Sequence, residues 1–220
     1  MITVNPNQDC FLLGGGPSLK GFDFKKLDGK FTIGVNKIFK IFHPNIIYCM
    51  DRKFYNYLHL PAERKLTEDA NILNEWLTSP AIKAFLSPST SPKKNERFFK
   101  ESFIEVIPRI SNKCISFNIN EGIYPGTNSG FGALSLAIAL GFKKIYLLGY
   151  DLKINGKDTH FHKGYPNQSI DTQQRHLNNF KRTFEFFAPK IKEAGVTVIN
   201  LTPDSALTCF DKMNIEEVLK

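Results

Sequence analysis

The sequence has little cysteine and no long apolar run, and each absence excludes a class of protein. Its four cysteines, Cys10, Cys49, Cys114 and Cys209, lie far apart and form no Cys-x-x-Cys pair, so we expect reduced thiols and no thiolate zinc site. No window approaches the roughly 18 consecutive apolar residues of a membrane span. The first ten residues, MITVNPNQDC, lack the basic-then-apolar pattern of a signal peptide. We therefore expect a cytoplasmic protein without a membrane span.

The charge is unbalanced towards the basic side. The 220 residues include 29 Lys and Arg against 21 Asp and Glu, a formal net charge of +8 with neutral histidines. The positive residues are scattered, which favours a solvated surface; attraction to an anionic substrate or to nucleic acid is the alternative, although no named nucleic-acid motif is present. The length and the 42% hydrophobic content predict one globular domain over 1–220.

Short apolar runs alternate with helical patterns along the chain. The runs lie at residues 10–13, 31–35, 46–50, 104–107, 144–148 and 196–199, and several lack polar alternation, as is typical of strands in parallel sheets. Residues 129–140 are apolar all round, and a helical stripe begins at Ile170, which Pro189 should end or kink near Ala188. We predict an α/β domain with a mostly parallel sheet, interrupted by an insertion or flexible flank at about 58–113.

Small and polar residues follow the predicted strands and open the apolar helix. In an open parallel sheet, ligands bind beyond the carboxyl ends of the strands. Glycine lets backbone N–H groups approach a phosphate, and Asn or Asp can bind a ribose or a base edge. We therefore predict that a nucleotide contacts Gly14, Gly15, Gly16, Ser18, Asn36, Asp51, Asn128, Ser129 and Gly130. An ordinary turn and helix caps are the alternatives, since the glycines match neither G-x-G-x-x-G nor a P-loop.

Residues 151–166, DLKINGKDTHFHKGYP, contain the most reactive side chains. His160 and His162 are two apart, so an extended chain would put both on one face, and histidine is well suited to take a proton near neutral pH. Asp151 and Asp158 could orient such a histidine. A metal site built from Asp158, His160 and His162, or a merely structural loop, are the alternatives.

Four motifs together resemble the family 42 bacterial sialyltransferases. They are GGGPSL after the first strand, Asn36 after the second, NSG at the start of the apolar helix, and AIALGFKKIYLLGYD at 137–151. The late stretch TPDSAL at 202–207 is also similar to that family. Archaeal 6-hydroxymethylpterin diphosphokinases share the turn and the Gly-x-Asp signature, and short bacteriophage proteins have this layout.

The resemblance implies a Rossmann-like transferase with helices on both faces of its sheet. A nucleotide-sugar donor, such as a CMP-sugar, would be lined by Gly15, Gly16, Asn36, Ser129, Gly130 and Asp151. By the same resemblance, His160 or His162 is the general base, no metal is required, and Tyr150 and Tyr165 correspond to two tyrosines that assist the leaving group.

Two other functions fit the same residues. A diphosphokinase would transfer diphosphate from ATP and need Mg²⁺ near Asp51, Asp151 and Asp158. A nucleotide-binding or nucleic-acid-binding module would use the basic surface without catalysis.

Overall fold

The computed structural model describes residues 2–90, 98–154, 158, 160–162 and 169–219. Over these residues the chain forms one parallel sheet. Its strands are β1 (Cys10–Leu13), β2 (Phe31–Val35), β3 (Ile46–Cys49), β4 (Ile82–Leu86), β5 (Glu105–Ile107), β6 (Lys144–Leu148), β7 (Thr197–Asn200) and β8 (Asp211–Lys212). Every pair of neighbouring strands is parallel, in the order β5-β4-β3-β2-β1-β6-β7-β8. The predicted α/β, Rossmann-like class is confirmed.

Helices connect the strands. The α-helices are α1 (Arg52–Leu58), α2 (Ile72–Thr78), α3 (Ser129–Ala139), α4 (Ile170–Glu193) and α5 (Ile215–Val218). Short 3-10 helices cover Pro17–Leu19, Phe24–Leu27, Asn36–Lys40, Ala62–Arg64 and Thr67–Asp69. Among the described helices, none combines the length and the apolar character that crossing a bilayer requires.

The long helix α4 runs through Pro189 instead of ending near Ala188 as predicted. The proline is exposed, as is Glu185, whose carbonyl would have accepted the missing hydrogen bond, so water can take that bond. Phe187 and Ile191 are buried on either side of the proline, and their packing holds the helix in place.

The central strands β1, β2, β3 and β6 are buried on both faces, as their apolar runs predict. In β1, Cys10 and Leu12 belong to the core beneath α3 and α4, whereas Phe11 and Leu13 belong to the core beneath α1 and α2. Side chains alternate across a strand, so a continuous apolar run supplies both layers at once.

The stretch 58–113, expected to be an insertion or flexible flank, contributes β4 and β5 to the sheet. Lys83 interrupts the apolar pattern of β4. This lysine is only 6% exposed, and its ammonium donates to the carbonyl of Ser79 while lying 5.7 Å from the ring centre of Phe103. Because Lys83 is polar, the sequence pattern does not indicate that β4 is a core strand, although the lysine is buried and hydrogen-bonded there.

The order of the sheet reverses at β1. This strand lies between β2 and β6, so the chain moves outward in one direction through β2 to β5 and in the other through β6 to β8. The connections on the two sides leave a crevice at the carboxyl ends of β1 and β6, which is where open α/β sheets bind their ligands.

Candidate functional site

A cavity of about 200 Å³ occupies this crevice. It lies at the carboxyl ends of β1, β2, β3 and β6, and at the start of α3. The predicted residues that line it are Gly14, Gly15, Gly16, Asn36, Asp51, Asn128, Ser129, Gly130, Asp151, His160 and His162. Ser18 is absent from this lining and lies behind the wall, bound to Asp151. Sequence reasoning missed Lys37, which also lines the cavity.

The glycine turn packs against the end of β6. The N–H of Gly14 donates to Leu148 O at 2.7 Å, and the N–H of Gly16 donates to Gly149 O at 2.9 Å. A Cβ atom would lie 2.4 Å from Gly149 O at Gly14 and 1.8 Å from Asp151 Oδ2 at Gly16. These two N–H groups are already bonded, which corrects the expectation that they approach a phosphate.

The middle glycine of the turn faces the histidine segment. Gly15 O accepts a hydrogen bond from the N–H of Phe161 at 3.0 Å. A Cβ atom at Gly15 would lie 3.2 Å from Cδ2 of His160. The close approach of these two chain segments therefore requires a small residue at this position.

Asp151 joins two loops of the site. Its side chain accepts hydrogen bonds from the N–H of Ser18 at 3.0 Å and from the Ser18 hydroxyl at 2.7 Å. Burial raises the pKa of this carboxyl, against the opposing effect of the Ser18 hydrogen bonds. Asp158 forms an exposed ion pair with Lys20 at 2.5 Å. Both carboxylates expected to orient a histidine thus have other described partners.

The described residues do not provide a ligand group for the alternative metal site. Asp158, His160 and His162 all belong to the described residues, and in this part of the chain no three His, Cys, Asp or Glu side chains are grouped as a metal ion requires. The Asp158 carboxylate instead forms an ion pair with the ammonium of Lys20.

The TPDSAL segment supports the end of β6. The N–H of Tyr150 donates to Thr202 Oγ1 at 3.0 Å, and the Ser205 hydroxyl donates to Tyr150 O at 2.5 Å. Tyr150 is only 2% exposed and donates its own hydroxyl to Gly130 O at 3.1 Å, so it ties β6 to α3. This bond differs from the expected role with a leaving group. Tyr165 lies outside the described residues.

Two asparagines present unpaired polar atoms at the cavity wall. Asn36 has the left-handed φ of 49°, and its Nδ2 is 3.5 Å from Ser129 Oγ. Asn128 Oδ1 accepts from the N–H of Phe131 at 2.9 Å, so this residue caps α3 as the alternative reading predicted. Within the described chain, Asn36 Oδ1 and Asn128 Nδ2 are buried without a hydrogen-bond partner. Such orphaned atoms are unfavourable unless a ligand or a water molecule in the cavity binds them.

The two histidines lie together at the cavity. Their rings stack with centres 5.0 Å apart and planes at 25°, so they share a face as expected, although residues 160–162 form bends and no strand. Burial, assisted by the charge of Lys37, lowers the pKa of His160 to about 4. Burial and the neighbouring His160 and Lys37 lower the pKa of His162 to about 3. Both imidazoles are therefore neutral near neutral pH, the state from which a general base acts, and the same burial makes them weaker bases than an exposed histidine.

Asp51 follows β3 and precedes α1. It is exposed and lines the cavity, and its side chain makes no capping hydrogen bond with α1 among the described contacts. The helix-cap interpretation of this residue is therefore not supported, and the carboxylate remains open to a ligand in the cavity.

Comparisons of the chain with models of protein families, with curated proteins and with solved structures give no match. The resemblance to family 42 sialyltransferases therefore stays a prediction from sequence motifs. The features that bear on the function are the cavity, its unpaired polar atoms and its histidines.

Proposed function

We propose that this protein is a transferase for a nucleotide-activated donor, specifically a glycosyltransferase of the sialyltransferase-like kind with His160 or His162 as the general base. One observation carries the proposal. The cavity at the reversal of the sheet combines an unpaired acceptor, Asn36 Oδ1, and an unpaired donor, Asn128 Nδ2, with two neutral imidazoles. A nucleotide offers both kinds of hydrogen-bonding group, and a transfer to a hydroxyl needs a base.

The polar groups suggest how the nucleotide binds. Asn36 Oδ1 accepts an N–H or O–H from a base edge or a ribose, and Asn128 Nδ2 donates to an acceptor on the same ligand. The phosphate binds at the start of α3, because the glycine turn has used the N–H groups of Gly14 and Gly16. The first N–H groups of an α-helix have no partner within the helix, and the helix dipole favours negative charge there.

The chemistry then requires one proton transfer and one displacement. The neutral imidazole takes the proton of the acceptor hydroxyl. The resulting oxygen attacks the anomeric carbon from the side opposite the nucleotide and forms the new glycosidic bond. The bond from the anomeric carbon to the phosphate oxygen breaks, its electron pair leaves with the nucleotide, and the configuration is inverted. Such general-base catalysis accelerates a reaction by about 100- to 10,000-fold.

The first experiment identifies the ligand. Thermal unfolding is measured with CMP-, UDP- and GDP-sugars and, separately, with ATP and Mg²⁺. Stabilisation by one class of nucleotide sugar supports the proposal, because a ligand that binds the folded state alone raises the unfolding temperature. If no nucleotide sugar stabilises the protein, the proposal fails.

The second experiment tests the base. His160→Ala and His162→Ala are compared with His176→Ala, a change of an exposed histidine in α4. One of the first two variants should lose transfer by about 100-fold or more while it still binds the donor, and the exposed variant should keep full activity. Full activity in both cavity variants would contradict the assignment.

The diphosphokinase remains the second candidate, and the exposed carboxylate of Asp51 at the cavity favours it. The expected set of Asp51, Asp151 and Asp158 does not form a described metal-binding group, and Asp151 is bound to Ser18. The residues thus do not fit a Mg²⁺ site made of all three carboxylates. Stabilisation only by ATP with Mg²⁺ would favour this candidate nonetheless.

A further inference from the structure

Lys37 is a buried lysine at the wall of the cavity. It follows Asn36 directly, and its side chain is only 2% exposed. Its ammonium forms an ion pair with Asp69, which is fully buried, and lies 5.2 Å from the ring centre of Tyr57. Lysines are almost never fully buried unless they are paired. The ion pair with Asp69 therefore fixes the position of the Lys37 charge.

The carboxylate of Asp69 is shared by two ammonium groups. Lys40 Nζ lies 2.8 Å from Asp69 Oδ1, and the Tyr57 hydroxyl donates to Asp69 Oδ2 at 2.7 Å. Burial opposes ionisation of Asp69, but the hydrogen bonds from Lys37, Lys40 and Tyr57 outweigh it and lower the pKa to about 2. The carboxylate is therefore ionised near neutral pH, and it is shared by the ammonium groups of Lys37 and Lys40.

The two ammonium groups on Asp69 differ in their other partners. Lys40 is 18% exposed and has a second carboxylate nearby, with Glu75 Oε2 at 3.7 Å. Lys37 is the lysine of the pair that lines the cavity, and its charge lowers the pKa of both His160 and His162. The Lys37 ammonium, paired with Asp69, therefore lies close enough to the two imidazoles to affect their protonation.

We propose that Lys37 determines specificity for an anion, because its ammonium, held by Asp69 and Tyr57, binds the phosphate of the nucleotide and stabilises the negative charge on the leaving phosphate. This inference rests on the proposed function. A lysine ammonium has three N–H donors, and the bond to Asp69 uses one of them. A bound phosphate would give the Lys37 ammonium a second anionic partner beside the carboxylate that it shares with Lys40.

The test separates the phosphate from the rest of the ligand. Calorimetric titrations compare cytidine with CMP and adenosine with AMP, for the wild type, Lys37→Met and Lys40→Met. The wild type should bind the monophosphate more tightly than the nucleoside. Lys37→Met should weaken the monophosphate by about 10-fold or more and leave the nucleoside within about 3-fold, because a hydrogen bond to a charged group is lost. Lys40→Met removes the other ammonium on the same carboxylate and should keep the preference for phosphate.

Two further measurements keep the test decisive if Lys37→Met does not fold. The double variant Lys37→Met with Asp69→Asn removes both charges of the pair and so leaves no uncompensated carboxylate. In the wild type, nuclear magnetic resonance of isotope-labelled lysine, with the Lys37 signal assigned from its loss in Lys37→Arg, should show that signal moving with CMP but not with cytidine.

The outcomes distinguish a failure of the proposed role of Lys37 from a failure of the proposed function. If a nucleotide binds and its preference over the nucleoside survives in Lys37→Met or in the double variant, the role of Lys37 is overturned while the proposed function stands. An unmoved Lys37 signal on nucleotide binding overturns it in the same way. If the wild type binds none of these nucleosides or monophosphates and no nucleotide sugar, the proposed function fails, and the role of Lys37 fails with it.

Discussion

The carboxylate of Asp151 accepts two hydrogen bonds from Ser18, one from the backbone N–H at 3.0 Å and one from the hydroxyl at 2.7 Å. The two residues are separated by 133 positions in the sequence, so this pair of bonds joins the turn after β1 to the loop after β6. The junction lies directly behind the cavity and fixes the relative positions of the segments that line it.

Asp151→Asn should destabilise the fold by about 1 to 3 kcal/mol, because the neutral amide loses the charge-assisted hydrogen bonds and the Ser18 hydroxyl has to turn from donor to acceptor. The measurement is urea denaturation followed by circular dichroism. Asp158→Asn is the matched control, since its ion pair with Lys20 is exposed and exposed pairs contribute little. Equal stability of the two variants would show that the junction does not stabilise the fold.

Gly16→Ala and Gly15→Ala should have different effects. The added Cβ at Gly16 would lie 1.8 Å from Asp151 Oδ2, so the junction has to shift, and we expect a loss of about 1 to 3 kcal/mol. At Gly15 the nearest atom is Cδ2 of His160 at 3.2 Å, so the change should move the histidine and leave stability nearly intact. Thermal unfolding and the histidine resonances measure the two effects, and a larger loss of stability at Gly15 would contradict the geometry.

Asn36→Gly and Asn36→Ala separate the side chain from the backbone. Glycine accepts the φ of 49° and removes Oδ1, so it should weaken nucleotide binding by about 10-fold without a large loss of stability. Alanine removes the same oxygen and adds backbone strain of about 1 kcal/mol. Calorimetry and thermal unfolding check both. If Asn36→Gly binds nucleotide as tightly as the wild type, Asn36 Oδ1 has no ligand.

The fold should lose stability as the pH falls below the ordinary pKa of histidine. The pKa is lowered to about 4 in His160 and about 3 in His162, so the unfolded chain binds more protons between these values and about 6.5. Stability is therefore full above about pH 6.5 and declines below it, by about 2 kcal/mol per histidine at about pH 5. Asp69, whose pKa is lowered to about 2, acts only at lower pH.

Denaturation curves at about pH 7 and pH 5 measure this dependence in the wild type and in a double variant with His160→Gln and His162→Gln. The double variant should lose most of the difference between the two conditions. A wild type that is equally stable at both would mean that the histidines are not buried as neutral groups.

Much of the fold could be predicted because it depends on local patterns. The apolar runs identified β1, β2, β3, β5, β6 and β7, and a parallel sheet brings the carboxyl ends of its strands to one edge whatever the intervening chain does. That rule is why Asn36 and Asp51 meet at one cavity, where Asn128 joins them from the start of α3. β4 was missed because Lys83 is buried by contacts that only the fold supplies.

The rest of the site depends on partners that are distant in the sequence. No local pattern indicates that the N–H groups of Gly14 and Gly16 are bonded to the loop after β6, or that Asp151 binds Ser18. Lys37 reads as an ordinary surface lysine, because its partner Asp69 is 32 positions away in a polar stretch.

The hydrogen bond from Phe161 N–H to Gly15 O has a consequence for how this molecule can change over evolutionary time. Main-chain atoms make this link, so it survives almost any replacement at position 161 except proline, which has no N–H. The side chain at position 161, between the two histidines, can therefore change during evolution and alter the surroundings of a substrate. The main-chain hydrogen bond would still hold the two imidazoles at the glycine turn.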